Sequence, residues 1–188
     1  AANFPYIVLH EDRCEADDII GVMAENTQEF GRGEPVMIVS ADKDFIQLQK
    51  WNNVKQYSPM TKKFIKEDNP VTYITEHIFK GDSSDGVPNI LSPDNTFVDS
   101  IRQSPVTKKK IQAWIDGIDD LKSVMDEETY RNYCRNKKLI DLSETPNDLR
   151  ENIINSYDNT KPAHKMKVLN YLIKNRMKML IESVEEFY

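Results

Sequence analysis

Glycine, cysteine and long apolar runs are scarce in this 188-residue sequence, which has six glycines and two cysteines. So little glycine excludes a collagen-like or linker-like chain. Apolar stretches such as Val36 to Val39 are far shorter than the roughly 20 residues of a membrane-spanning helix. Cys14 and Cys134 lie far apart without metal-ligand spacing. We therefore expect reduced thiols in an intracellular protein rather than a disulfide or a zinc site.

Familiar catalytic patterns are missing as well, since no Walker-type phosphate loop and no Ser-His-Asp or Cys-His arrangement is visible. His10, His77 and His164 stand in unrelated contexts, and the sequence predicts no chemical role for them. Charge is abundant, with 25 Lys and Arg against 31 Asp and Glu and a formal net charge of -6. Acids gather early in the chain, whereas residues 161–178 hold bases and no acid. This asymmetry suggests a metal site near basic surfaces.

Hydrophobic periodicity predicts an α/β arrangement in the first part of the chain. Pro5 to His10 and Val36 to Val39 are typical of buried strands, and an amphipathic helix capped by Asp12 is predicted between them. Strand, helix and strand together predict a right-handed parallel crossover. Alternating residues over 54–57 and 63–66 predict a hairpin or a sheet edge, which is followed by a helix from Pro70 to about residue 80.

The remainder of the chain has helical patterns. Helices are predicted over 105–116, 119–136, 147–157 and 163–186, with Gly117, Pro146 and Pro162 as breaks. We therefore expect an α/β region over residues 1–80 and a helical region over residues 81–188.

Three groups of carboxylates are the chemically informative feature, and each stands at the end of a predicted element. The groups are Glu15, Asp17 and Asp18; Asp42 and Asp44; and Asp82 and Asp85. Ligand sites in open α/β sheets gather at the carboxyl ends of strands, so we expect these groups to meet there. Crowded carboxylates repel one another unless a hard divalent cation neutralises them, and oxygen-only ligands favour Mg²⁺ or Mn²⁺. Two such ions about 4 Å apart activate water and stabilise the leaving oxygen of a phosphodiester.

Structural roles compete with this interpretation. Helix caps, a capping box and turns explain any one of these acids taken alone, but they explain three groups together less well. An alternative function therefore stays open, in which the chain is a non-catalytic nucleic-acid-binding or replisome-docking module and the acids are caps and turns.

Three segments, Cys14 to Gly21, Ser40 to Phe45 and Lys80 to Pro88, resemble the carboxylate motifs of the 5'-nuclease superfamily. That superfamily includes flap endonucleases and the 5'-to-3' exonuclease domain of bacterial DNA polymerase I. The sequence most resembles the ribonuclease H branch of T-even phages, because Glu11 to Arg13 and Asn53 to Met60 also match. The resemblance implies an incomplete PIN-like parallel sheet flanked by helices and followed by a helical C-terminal region. A related toxin-like ribonuclease fits less well, since it would lack the helical tail.

The same resemblance implies a metal-dependent 5'-to-3' nuclease that removes RNA primers and 5' flaps during DNA replication. Its substrates would be duplex DNA and RNA–DNA hybrid, with single-strand-binding protein and sliding clamp as partners, in the cytoplasm of a phage-infected cell. It assigns two Mg²⁺ ions, replaceable by Mn²⁺. The implied ligands are Glu15, Asp17 and Asp42 for the first ion and Asp44, Asp82 and Asp85 for the second.

Contacts with nucleic acid are predicted in the helical region. Lys108, Lys109 and Lys110 are the candidates for phosphate contact, although a lysine run on a helix is more often a solvated face. The segment from Asn89 to Phe97 departs from the glycine-rich hairpin of the superfamily. The superfamily's first metal-binding Asp and its basic arch have no counterpart ahead of the first motif. We therefore expect a fragment, or a chain whose remainder is supplied separately, with little activity alone.

Overall fold

The computed structural model describes residues 3–187. Contacts between residues divide the chain into two compact units. The central unit is Ala16–Pro146, and the terminal unit combines the residues up to Glu15 with those from Asn147 onward. The predicted boundary near residue 80 separates a nuclease core from a duplex-binding region by function, not by the contacts that define the two compact units. This boundary stays a prediction.

A three-stranded sheet organises the central unit, in the order β1 (Val36–Val39), β2 (Val54–Ser58) and β3 (Lys63–Ile65). β1 and β2 are parallel, and the connection between them contains the 3-10 helix Asp44–Lys50. β2 and β3 form the predicted antiparallel hairpin, in which Tyr57 lies opposite Phe64. The α/β fold class is therefore confirmed, with the parallel pair placing the second acidic group at the end of β1.

The predicted strand from Pro5 to His10 is wrong, and so is the crossover that depended on it. This segment forms no strand within the described chain. Instead, the carbonyl of Phe4 accepts a hydrogen bond from the Ala163 N–H at 3.2 Å, and the Phe4 ring packs edge-on against Tyr171. Val8, predicted to be buried, is 53% exposed. Tyr6 and Ile7 are exposed as well, so the apolar pattern of this segment did not indicate a buried strand.

Helices and a non-helical segment over residues 81–107 complete the central unit. The helices are α1 (Ala16–Glu25), which continues as the π-helix Asn26–Phe30; α2 (Pro70–Lys80); α3 (Lys108–Asp116); α4 (Leu121–Val124); α5 (Glu127–Ile140); and the 3-10 helices Ile118–Asp120 and Leu142–Glu144. α1 begins at Ala16 rather than directly after Asp12. α2 begins as predicted, because the Asn69 side chain accepts a hydrogen bond from the Thr72 N–H at 3.1 Å.

Two hydrophobic clusters hold the central unit together. One surrounds the sheet and contains Ala24, Ile38, Phe45, Leu48 and Val54; the other contains Phe79, Ile90, Ile111, Trp114 and Leu121. A smaller cluster joins Ile78 to Val87 and Ile140. Adjacent residues of α2, Ile78 and Phe79, thus enter different clusters. This double anchorage fixes the carboxyl end of α2, where the third acidic group begins.

The terminal unit contains α6 (Asn147–Asn159), α7 (Lys165–Lys174), α8 (Lys178–Glu182) and the 3-10 helix Val184–Phe187. The single helix predicted over 163–186 is interrupted because Arg176 adopts a left-handed backbone conformation with φ of 56°. In the described part of the chain, no helix is both long and apolar enough to span a bilayer.

Candidate metal centre

The second acidic group follows β1 directly and is folded into a compact turn. The Asp42 N–H donates to Ser40 Oγ at 3.1 Å, and the Asp44 N–H donates to Asp42 Oδ1 at 3.1 Å. Beneath this turn lies Gln56 of β2, which is fully buried. Its Nε2 donates to the carbonyls of Ser40, at 3.0 Å, and of Asp42. A buried amide therefore fixes the backbone that carries both carboxylates.

The third acidic group follows α2 through Gly81, which ends the helix. The Gly81 N–H donates to the His77 carbonyl at 2.8 Å, and its φ is 68°. A Cβ at this position would overlap the Val87 carbonyl oxygen and lie 2.6 Å from the carbonyl carbon of Pro88. The next turn is closed by a 2.6 Å hydrogen bond from the Val87 N–H to the Asp82 carbonyl. Glycine is therefore required here by both conformation and space.

His77, in the last turn of α2, stands between the two groups. Its Nε2 lies 3.2 Å from Asp82 Oδ2 and 3.5 Å from Asp44 Oδ1. These are ion-pair distances for a protonated ring, and this buried nitrogen has no hydrogen-bond partner among residues 3–187. One donor atom from each of Asp44, His77 and Asp82 lies within 4.8 Å of the others. The three side chains therefore have the spacing of a metal-ligand set.

The surroundings of His77, Asp82 and Tyr73 shift the pKa values of these three groups. The Asp44 carboxylate stabilises the protonated ring and raises the pKa of His77, against the opposing effect of burial. Burial raises the pKa of Asp82, but hydrogen bonds from the Ser84 hydroxyl and N–H, together with the His77 charge, outweigh it and leave that pKa lowered. Burial, followed by the charge of Asp44, raises the pKa of Tyr73, whose ring stacks on His77. The site therefore favours positive charge between its carboxylates.

The structure brings only some of the predicted site residues together. Asp42, Asp44 and Asp82 line one pocket together with Ala41, Lys43, Tyr73, His77 and Ser84. Asp85 is exposed in the turn that follows Asp82. Asp17 and Asp18 lie in the first turn of α1 and do not line this pocket, and Asp18 accepts a hydrogen bond from the Thr145 hydroxyl at 3.1 Å. Glu15 is exposed directly ahead of α1.

Two buried asparagines of α5 support the segment after the third group. Asn136 Nδ2 donates to the carbonyls of Ile78 and Pro88, each at 2.9 Å. Asn132 Nδ2 donates to the carbonyl of Ile90 at 3.0 Å. Sequence reasoning missed these amides, as it missed Gln56 and His77. For Asn132 and Asn136 the sequence did hold a signal, because two residues that are four apart lie on the same face of a helix.

The candidate phosphate contacts lie elsewhere in the central unit. Lys108, Lys109 and Lys110 form the first turn of α3, and all three are exposed. Thr107 caps this helix by accepting a hydrogen bond from the Lys110 N–H at 3.4 Å. A helix N-terminus carries partial positive charge and favours acids nearby, so three lysines there are locally unfavourable. Their placement concentrates positive potential at one surface.

Two family models match the sequence. The 5'-3' exonuclease N-terminal resolvase-like domain matches residues 1–78, and the model described as T4 RNase H, C terminal, matches residues 69–187, which is more than half of the chain. The chain belongs to the T4 RNase H family. This confirms the predicted membership of the 5'-nuclease superfamily, whose N-terminal model ends at the helix that carries His77.

Curated members of the family are similar over different lengths. Ribonuclease H of Enterobacteria phage T4 is 33% identical over 191 aligned residues, covering 99% of this chain and 62% of the phage protein. A 5'-3' exonuclease of Buchnera aphidicola subsp. Schizaphis graminum is 41% identical over 83 residues, covering 40% of this chain and 28% of that protein. The T4 RNase H family match therefore extends through both units, while the chain spans less than two thirds of either relative.

Proposed function

We propose that this chain belongs to a metal-dependent 5'-to-3' nuclease that removes RNA primers and 5' flaps from DNA during replication. The observation that carries the proposal is the pocket at the end of β1, where Asp42, Asp44 and Asp82 converge in a T4 RNase H family member. The relatives are named ribonuclease H and 5'-3' exonuclease, and we extend those activities to this chain. Duplex DNA and RNA–DNA hybrid with 5' ends or flaps are the proposed substrates. Single-strand-binding protein and a sliding clamp are the proposed partners, on family resemblance alone.

The proposed cofactor is a pair of Mg²⁺ ions, for which Mn²⁺ can substitute. Carboxylate oxygens suit these ions, and the pocket gathers oxygens of Asp44 and Asp82 around the buried Nε2 of His77, which has no hydrogen bond among residues 3–187. Asp44, Asp82 and Asp85 are the proposed ligands of one ion, and Glu15, Asp17 and Asp42 those of the other. When bound, such ions act as Lewis acids toward water and the scissile phosphate.

Residues of the chain orient these ligands. The Ser84 N–H donates to Asp82 Oδ1 at 2.8 Å, and the Ser84 hydroxyl donates to the same oxygen. These bonds direct the second oxygen, Oδ2, toward His77. Gln56 holds the Asp42 carbonyl from below. The pocket's carboxylates are thereby oriented by neighbours that do not themselves need to contact substrate.

The catalytic proposal is tested with a 5'-labelled RNA-primed duplex and a 5'-flap duplex, assayed at high protein concentration. We expect slow release of 5' products that requires Mg²⁺ or Mn²⁺ and is lost in Asp82→Asn. Asp68→Asn is the matched control, because Asp68 is exposed and pairs only with Lys66 among the ion pairs of the described chain. Cleavage that survives chelation, or that survives Asp82→Asn, would overturn the proposal. Duplex binding without cleavage, unaffected by chelation, would favour the docking module instead.

Duplex binding is proposed for the first turn of α3. Each phosphate neutralised by a lysine contributes about 0.9 to the slope of log affinity against log salt. Replacing Lys108, Lys109 and Lys110 by Gln is therefore expected to flatten the slope measured by fluorescence anisotropy. The control replaces Lys62, Lys63 and Lys66, which are exposed on the β2–β3 hairpin and carry the same charge. Equal slopes in the two triple variants would place the phosphate contact elsewhere.

A further inference from the structure

The Nε2 atom of His77 is the least explained polar atom of the pocket. It is buried and has no hydrogen-bond partner among residues 3–187, although carboxylate oxygens of Asp82 and Asp44 lie 3.2 and 3.5 Å away. A buried nitrogen left in this state costs free energy unless something pairs with it. A divalent cation bound by both carboxylates would be within reach of the imidazole lone pair as well.

One aromatic ring packs against the His77 ring, and hydrogen bonds hold the backbone at His77 and Ile78. The Tyr73 ring, one helical turn earlier, stacks on it with centroids 5.9 Å apart and an interplanar angle of 18°. The His77 carbonyl accepts the Gly81 N–H that ends α2. The next residue, Ile78, is buried, and its carbonyl accepts a 2.9 Å hydrogen bond from Asn136. Such support is what an orienting shell provides for a metal-binding histidine.

We propose that His77 is a metal ligand, so that the ion between Asp44 and Asp82 is bound by two carboxylate oxygens and one imidazole nitrogen. This inference rests on the proposed metal centre and adds to it a preference among ions. Carboxylate and water ligands suit Mg²⁺, whereas imidazole suits first-row transition ions, and affinity at mixed nitrogen and oxygen sites rises from Mn²⁺ toward Cu²⁺. The imidazole ligand is therefore expected to raise the affinity for Mn²⁺ more than the affinity for Mg²⁺, and Mn²⁺ is the probe because it also fits the carboxylates.

A purely electrostatic role for His77 is the competing explanation. In that case the ring is a cation that bridges the two carboxylates, and an incoming metal ion displaces it rather than bonding to it. The two explanations differ in whether nitrogen remains coordinated when the ion is present. They also differ in the sign of the effect of removing the ring, since losing a competitor would strengthen ion binding.

The test measures ion binding directly, without an activity assay. Calorimetry on the purified chain gives the affinities for Mn²⁺ and Mg²⁺ in the unaltered protein and in His77→Gln, Asp82→Asn and His10→Gln. We expect the Mn²⁺-to-Mg²⁺ affinity ratio to fall by at least about tenfold in His77→Gln and to stay unchanged in His10→Gln. An unchanged or increased Mn²⁺ affinity in His77→Gln would overturn the assignment of His77 as a ligand.

A spectroscopic signature keeps the proposal testable even if His77→Gln does not fold. Electron spin echo modulation of the Mn²⁺-loaded, unaltered protein is expected to show coupling to an imidazole nitrogen. A Mn²⁺-loaded protein without nitrogen coupling would overturn the inference while leaving the carboxylate site intact, provided Asp82→Asn weakens Mn²⁺ binding. If neither ion binds the unaltered chain, or if Asp82→Asn binds Mn²⁺ as well as the unaltered chain does, the proposed metal centre itself fails.

Discussion

Buried residues support the backbone of the second and third acidic groups, whereas Asp17 and Asp18 of the first group stand in the first turn of a helix. Gln56 fixes the backbone of the second group, and the two anchored residues Ile78 and Phe79 fix the helix that leads into the third. Asp17 and Asp18 instead occupy the first turn of α1, where the helix dipole favours acids. The three motifs are therefore positioned by different elements, and buried amides support the second and the third.

The largest expected effect is that of Gly81→Ala, which attacks the interior support of the third group. The new Cβ would overlap the Val87 carbonyl oxygen at a φ of 68°, so both crowding and a left-handed backbone oppose the substitution. We expect the free energy of unfolding in urea to fall by about 3 kcal/mol. Gly86→Ala is the control, because Gly86 has a φ of 74° with no atom within 4 Å of a Cβ there. Gly86→Ala should lose only about 1 kcal/mol of unfolding free energy. Equal losses in the two variants would show that crowding around Gly81 does not add to the cost.

The next effect tests the support of the second group. Gln56→Leu keeps the side-chain volume but leaves the buried carbonyls of Ser40 and Asp42 without their amide donor. We expect a loss of about 2 kcal/mol in urea unfolding, together with weaker Mn²⁺ binding by calorimetry. Gln28→Leu is the control, since the amide of Gln28 bonds the Glu34 carbonyl at an exposed position. Unchanged Mn²⁺ binding in Gln56→Leu would show that the buried amide does not support the metal centre.

Local patterns were sufficient for part of this architecture. The β2–β3 hairpin and α2 were predicted correctly, since alternation and the Asn69 cap are contained in a few consecutive residues. The Pro5 to His10 strand was predicted wrongly, because an apolar run becomes a buried strand only where distant parts of the chain cover it, and here Tyr6, Ile7 and Val8 are exposed. His77 was missed for a similar reason. A single histidine on a helix gives no local signal, and only the fold brings it between Asp44 and Asp82.

A smaller effect is expected in the first group. Thr145→Val removes the hydroxyl that donates to the Asp18 carboxylate at 3.1 Å. We expect unfolding in urea to lose about 1 kcal/mol, while Mn²⁺ affinity measured by calorimetry stays unchanged. Thr75→Val is the control, because the Thr75 hydroxyl bonds the carbonyl of Val71 on an exposed face of α2. Weaker Mn²⁺ binding in Thr145→Val would instead show that the hydrogen bond to Asp18 also supports the metal centre.

The smallest expected effect is a pH dependence of stability in the metal-free protein, measured by urea unfolding in the presence of a chelator. The pKa of His77 is raised in the folded state above its ordinary value of 6.5. The folded chain therefore binds more protons than the unfolded chain between these two pKa values, and stability falls as pH rises through that window. The stabilisation from His77 is therefore fully present below pH 6.5. The lowered pKa of Asp82 has the opposite effect at acid pH, where stability is lost as pH falls. In His77→Gln, the free energy of unfolding should fall less steeply above pH 6.5. In His10→Gln, which changes an exposed residue, it should fall as in the unaltered protein. A stability that rises with pH over this window would mean that burial, rather than the two carboxylates, governs the ring.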